Sequence, residues 1–335
     1  MKKEHVYNNF FDPEIWEKVN NDNKELIEDY LLELKQNKKA DGTISQYKGD
    51  LKILAMYVYK SLENKSFLEI NKREFRNFSL YLTTDCHLSS SRHNRLFSSL
   101  RSLLTFAENE DDYEYDINTS KKVKGLGKEP VRDIIFLTDE QIQKLKNELI
   151  NRKEFQKACI LMLAYESAAR KGELAGVTKD SFLDDSKNNT NQVVGKRRKR
   201  FNLLYFGGTK ECAKLWLDQR GEDSVDAMWI VGNGENRHEA SPEVIYDWFM
   251  YMRKLLSDME GKEIDLNVHS LRHTSLTNYG NNTHSVLREL GLKEGFPIGK
   301  LKLLAHHESV ETTQGYLPDT SDSELENMFS IKIDK

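Results

Sequence analysis

In the stretch LLAHHESVETTQGYL, residues 303–317, His306 and His307 stand side by side and Tyr316 follows nine residues after the second. One of fourteen tyrosines means little by itself. A phenol, with a pKa of about 10, is a weak nucleophile at neutral pH. Aimed at a phosphodiester, it must add negative charge to a centre that is already anionic. Without a metal, such a site needs fixed cations around the non-bridging oxygens and a proton donor for the departing alkoxide. Arginine suits the first task, because its planar fork matches phosphate oxygens and stays charged. The chain offers such a set. HSLRH (269–273) places His269 and Arg272 one helical turn apart on one face. AARKGEL (168–174) sets Arg170 at the end of a strongly apolar run, where a charge must find solvent or an anion. GKRRK (195–199) supplies Lys196 and Lys199 at the tip of an expected hairpin.

These residues need scaffolding, and the rest of the sequence describes it. With 335 residues, two domains are the natural expectation. Residues 1–22 read as a loosely packed lead-in, and 23–108 as a helical domain. There Leu26, Tyr30 and Leu34, then Leu51, Leu54, Tyr57 and Val58, recur at helical spacing. SRHNRLFSSLRSLLTFA reads as its fourth helix, with Arg92, Arg95 and Arg101 set against a stripe of leucines. Residues 109–134 turn from acidic to lysine-rich, contain Gly125, Gly127 and Pro130, and read as a linker. A second domain over 135–317 opens with a capping box of Thr138 and Gln141. VTKDSF, QVVG and RFNLLYF are its strand candidates, the last two bracketing the GKRRK turn. Helices are expected near 241–259, 270–280, 299–306, 309–315 and 322–329. The tail, 318–335, carries a second capping box, Ser321 with Glu324, and a stripe of Leu325, Met328 and Phe329 suited to a partner groove. The fold class is therefore mainly α with a small antiparallel β-sheet.

Composition narrows the function. The net charge is −4 and the pI about 6.2, mildly against a nucleic-acid partner. The charge is segregated, however: Lys187–Arg200 holds six basic residues and no acid, whereas NEDDYEYD (109–116) holds five acids. A one-sided anionic ligand would select that pattern. Cys86, Cys159 and Cys212 are isolated, and no Cys/His cluster has zinc-ligand spacing. There is no apolar run long enough for a membrane span and no signal-like N-terminus. The expectation is a cytoplasmic, nucleoid-associated protein without metal or other cofactor.

Taken in order, AARKGEL, the hairpin lysine, HSLRHT and HHESVETTQGY resemble the catalytic domain of the tyrosine recombinases, the phage-integrase and Xer-type family. TISQYKGDLKILAMYV and SSSRHNRLFSSLRSLLTF resemble that family's helical, SAM-like core-binding domain, so the likeness covers about residues 40–320. The resemblance implies two domains forming a C-shaped clamp on duplex DNA. It implies that Arg170 and Arg272 clamp the scissile phosphate, and that His269 and His307 hydrogen-bond it and assist proton transfer. Lys196 would be the general acid for the 5′-hydroxyl, with Lys199 the second choice. Tyr316 would attack, giving a 3′-phosphotyrosyl link. His306 falls where the family usually has glycine and is read as structural or exposed rather than catalytic, and the interval from Arg272 to His307 is longer than usual. DNA contacts are expected from Arg92, Arg95, Arg197, Arg198, Lys199, Arg200, Lys121, Lys122 and Lys124.

The function expected is site-specific DNA recombination in a phage or mobile element, with self-association as a tetramer on DNA and accessory proteins as further partners. The alternative is a recombinase-fold regulator, such as a prophage repressor, that binds specific DNA as a dimer or monomer without cutting. A third reading is a type IB topoisomerase-like enzyme that relaxes supercoils without site preference.

Overall fold

The computed structural model describes residues 10–127, 136–195 and 198–314. The chain divides into two compact units, Met1–Val131 and Arg132–Lys335.

The first unit is helical: α1 (Pro13–Lys18), α2 (Asn21–Gln36), α3 (Asp41–Ser61), α4 (Lys72–Thr84) and α5 (Ser90–Asn109). The starts are written in the sequence. Asp12 caps α1 ahead of Pro13, Asn71 and Glu74 form a reciprocal capping box on α4, and Ser89 caps α5. The apolar stripes of α2–α5 meet in one core that includes Leu26, Leu54, Phe75, Phe78, Phe97 and Leu104. Its aromatic rings pack at 4.8 Å (Tyr57–Phe78) and 5.8 Å (Phe78–Phe97).

Two stretches differ from the sequence expectation. The described part of the lead-in is not loose: Val19 is buried and Phe10, Phe11, Ile15 and Trp16 pack on the core. The Lys52 ammonium lies 4.6 Å from the ring centroids of both Phe11 and Trp16. Residues 109–127, expected as the start of a linker, fold back on the helical unit. Tyr115 and Val123 are buried there, the Arg101 guanidinium donates to the Val123 carbonyl, and Asn118 ties the segment to Arg101 and Thr105. Single apolar anchors separated by polar residues leave no periodicity to read.

The second unit contains α6 (Asp139–Asn151), α7 (Phe155–Ser167), α8 (Lys171–Ala175), β1 (Asn189–Val194), β2 (Arg200–Leu204), α9 (Gly207–Arg220), β3 (Ile230–Val231), β4 (His238–Glu239), α10 (Pro242–Glu260), α11 (Val268–Gly280), α12 (Ser285–Glu289), α13 (Ile298–Leu304) and α14 (Val310–Gln314). The Thr138–Gln141 capping box opens α6. Helix α7 is buried from Ala158 through Ser167 because α6, α9 and α11 surround it. Hence its composition is apolar all round rather than striped. Strands β1 and β2 pair antiparallel, with Val193 opposite Phe201 and Val194 opposite Arg200. A second antiparallel pair joins β3 to β4.

VTKDSF is not a strand. Lys179–Phe182 is a 3-10 turn, and only Thr178 forms a bridge, to Ala227. The Asn191 side chain takes the Thr178 N–H and the Ser181 hydroxyl, so the backbone there turns away from a ladder. Helix α9 is absent from the elements expected above; it opens on Gly207 and Gly208, residues of low helix propensity. Gly208 is required for packing: a β-carbon there would lie 2.5 Å from Met162 Cε and 2.7 Å from Glu166 Oε1. The expected helix at 322–329 and the tail lie outside the described residues.

Candidate active site

Helix α7 ends in a left-handed residue, Ala168, at φ 52°. This turn points the buried Ala168 carbonyl at Arg272 and sends the chain into α8, whose N-cap is Arg170. The backbone N–H of Arg170 donates to Glu173 Oε2 at 2.7 Å, and its guanidinium Nη1 donates to Glu173 Oε1 at 2.8 Å. Glu173 is buried while Arg170 is about one-third exposed (31%), so a fixed carboxylate aims a half-open cation. Helix α8 is itself anchored: the Trp229 indole, fully buried, donates to the Leu174 carbonyl at 2.7 Å.

Helix α11 supplies the next pair. Asn267 caps it, accepting from the N–H groups of His269 and Ser270. Arg272 is 1% exposed, and its guanidinium donates to the Ala168 carbonyl, to the Ala305 carbonyl (2.6 Å) and to His307 Nε2 (2.7 Å). It therefore joins the ends of α7 and α13 to the His307 ring, and Nδ1 of that ring meets Thr313 Oγ1 at 3.0 Å. His269 is exposed, and its Nε2 lies 3.2 Å from Nε2 of buried His273.

The electrostatics show that these groups converge. Burial, then the Arg272 and Arg170 guanidiniums, push His307 down to about 4. His269, although part of its surface is exposed, is held below its ordinary value by partial desolvation of its ring and then by the Arg272 and Arg170 guanidiniums. His306 is lowered by burial as well, with Glu173 opposing and Arg272, Lys199 and Arg170 adding. Thus Arg170, Arg272, His269 and His307 form one constellation, with Lys199 at its edge. Both histidines are neutral at pH 7. Such a site can hold an anion against two guanidiniums and offers imidazoles that charge as the anion arrives.

Lys196, Arg197 and Tyr316 lie outside the described residues. The hairpin that carries the lysines closes with the Gly195 N–H donating to the Lys199 carbonyl at 2.8 Å, and Arg198 is left-handed at φ 60°. A longer connection ending in a left-handed residue explains why an Asn-Gly signal is lacking. Arg198, Lys199 and Arg200 are exposed.

In the helical unit, Arg92 and Arg95 line a surface pocket of about 590 Å³ together with Ser45, Gln46, Lys48 and Lys52. Sequence reasoning missed the group beneath them. Asp50, 2% exposed, lies 2.5 Å from Arg92 and 3.9 Å from Arg95 and accepts from the Ser99 hydroxyl. The signal was an acid inside the stripe of Tyr47, Leu54 and Tyr57. Lys122 and Lys124 are exposed; Lys121 pairs with Glu108.

A helical unit followed by a mainly α unit with a small hairpin and a buried Arg–His centre defines the class: the fold is that of the tyrosine recombinases. The chain belongs to the phage integrase family, which its residues 135–322 match. It is 25% identical over 313 residues to the SPbeta prophage-derived recombinase-like protein YomM of Bacillus subtilis strain 168, across 89% of this chain and 88% of that protein. A lambda integrase (75–356) dimer bound to a COC′ core site superposes with a TM-score of 0.63 at 15% identity, over 89% of this chain and 96% of that one. XerH bound to its palindromic difH substrate in a post-cleavage complex gives 0.64 at 16%, over 86% and 79%. At these identities the two structures establish the fold.

Proposed function

We propose that the chain is a site-specific DNA recombinase that cuts and rejoins strands through Tyr316. The observation that carries this reading is Arg272. The cation is buried, set by two backbone carbonyls, and joined to His307 beside a second, carboxylate-aimed arginine. Burying an arginine is costly. A merely structural role would not need Arg170 and two neutral histidines gathered around it.

The bound scissile phosphate sits between Arg170 and Arg272, whose charges offset what develops on the non-bridging oxygens. The Tyr316 hydroxyl passes its proton to neutral His269 as its oxygen attacks phosphorus. The P–O5′ bond breaks, and Lys196 or Lys199 gives the leaving oxygen its proton. The 3′-phosphotyrosyl bond keeps the energy of the broken one, so a second 5′-hydroxyl reverses the step on another strand with no nucleotide hydrolysis. Arg92 and Arg95 contact the duplex backbone. The reaction's geometry calls for several copies on DNA; the lambda integrase relative is solved as a dimer on a core site.

The test is recovery of DNA from sheared, nicked genomic fragments of the source organism by the tagged protein. One arm is washed in mild salt, the other denatured in SDS. Recombination is expected to enrich one locus in both arms. Enrichment in the mild arm alone would make the chain a sequence-specific regulator, and adducts without any locus a relaxing enzyme.

A further inference from the structure

His306 sits at φ 51°, a backbone conformation that glycine takes most freely. What the chain gains for that choice is a ring. The His306 imidazole stacks on Phe201, with centroids 3.7 Å apart and planes 22° from parallel. Phe201 is the second residue of β2, two residues past Lys199 and opposite Val193. Phe201 also lies close to the base of the hairpin. A β-carbon at Gly195 would lie 2.5 Å from Phe201 Cε1 and 2.9 Å from Cζ, with Glu173 Oε1 at 3.3 Å. Phe201 thus packs against both His306 and Gly195, the residue that opens the hairpin. Beside it stands the carboxylate that aims Arg170. His306 also precedes His307, which holds Arg272. One ring pair therefore connects the base of the hairpin to both arginine supports.

We infer that His306 is a positioning residue, whose ring on Phe201 sets the two described ends of the hairpin, Gly195 and Lys199, against the arginine site, and that the lysine delivering the proton to the leaving 5′ oxygen depends on this setting. The inference rests on the recombinase reading above. His306 touches no reacting atom and acts through Phe201. A brace made of two faces in contact resists sliding of the hairpin, and general-acid catalysis tolerates little misplacement.

Leaving-group chemistry supplies the test. A 5′ alkoxide needs a proton as it departs. A 5′ thiolate, in a bridging phosphorothiolate, does not. Single-turnover cleavage is measured on nicked duplexes of the locus recovered in SDS, one with oxygen and one with sulfur at the scissile 5′ position. His306→Gly suits the backbone at 306 and keeps the fold, which a melting curve checks. It is expected to cut the oxygen substrate about tenfold more slowly, cut the sulfur substrate within about twofold of the parent, and bind DNA equally well. His306→Phe, which restores a ring, should recover most of the loss, and Phe201→Leu should add little to His306→Gly. Lys196→Ala and Lys199→Ala on the same pair identify the lysine by whichever defect sulfur removes. Equal slowing on both substrates, no slowing at all, or a Phe variant no better than Gly would each overturn the inference while parent cleavage leaves the recombinase reading standing. A parent that forms no adduct with either substrate removes that reading, and this inference with it.

Discussion

The Arg272 guanidinium and the His307 ring are joined Nη2 to Nε2 at 2.7 Å, and this contact assigns the histidine's proton. A guanidinium has donors only, so His307 accepts at Nε2 and carries its hydrogen on Nδ1, facing Thr313. The ring that would assist proton transfer is therefore neutral and turned to hold an arginine before DNA arrives.

That state gives a proton-linkage prediction. An anion placed between the arginines draws the Arg272 fork to itself and releases Nε2 of His307, held at about 4 in the free protein; it then favours the charged form of that ring and of His269, also lowered. DNA binding should take up protons between about pH 4 and 6.5, and affinity should rise as pH falls through that window. Calorimetry in buffers of different ionisation enthalpy reads the uptake. His307→Asn should reduce it, and proton release would contradict the assignment.

Arg272 should be worth more to cleavage than to binding. Arg272→Ala removes a fixed cation from the transition state, a loss of about 3–4 kcal/mol, or 10²–10³ in rate. It also leaves the Ala168 and Ala305 carbonyls without their donor, so a lower melting temperature should accompany it. Arg272→Lys should keep some stability but little rate, because one ammonium cannot reproduce the fork. Denaturation and single-turnover cleavage, run together, separate the two effects.

Glu173 should act only through Arg170. Glu173→Gln keeps the shape but removes the charge that aims the guanidinium, and about a tenfold loss of cleavage is expected, within the range of a displaced catalytic group. In an Arg170→Ala background the same change should cost nothing further. Full additivity would show that Glu173 works elsewhere.

Acid stability should be governed in part by His284. Its ring is sandwiched between Tyr165 and Tyr279 at 4.0 and 3.7 Å, and burial pushes it down to about 3. The unfolded histidine binds a proton below about 6.5 and the folded one does not, so stability falls as pH drops from about 6.5 toward 3. His307 adds the same sign down to about 4. Glu166, raised to about 7 by burial, opposes them, gaining stability as pH falls from about 7 to its unfolded value near 4.5. In urea titrations His284→Phe should flatten the slope between pH 6 and 4 by about 1.4 kcal/mol per unit. An unchanged slope would mean that His284 is charged in the native state.

Arg95 tests the helical unit. If it contacts a phosphate, Arg95→Ala should weaken binding alike for all sequences and lower the salt slope by about one.

The constellation was legible because its members are polar residues in short motifs at fixed offsets. Arg170 ends an apolar run, His269 and Arg272 share a helical turn, and His307 precedes a paired threonine. The Thr138–Gln141 capping box announced the start of α6 for the same local reason. What stayed hidden depends on partners distant in sequence. Asp50 stands inside an apolar stripe, but its partner stays hidden until α5 brings Arg92 to it, 42 residues on. The His306–Phe201 stack joins residues 105 positions apart. Helix α9 begins at glycines whose reason is the close approach of Glu166 and Met162. VTKDSF has strand composition, yet one asparagine side chain diverts its backbone.

The most direct measurement is the chemical identity of a DNA adduct. The protein is trapped on a nicked duplex of its recovered locus, digested with nuclease and protease, and analysed by mass spectrometry. A nucleotide 3′-phosphate on Tyr316, absent in Tyr316→Phe although that variant still binds the duplex, is the expected result. An adduct on another residue, or strand rejoining that persists in Tyr316→Phe, would contradict the assignment of Tyr316 as the nucleophile.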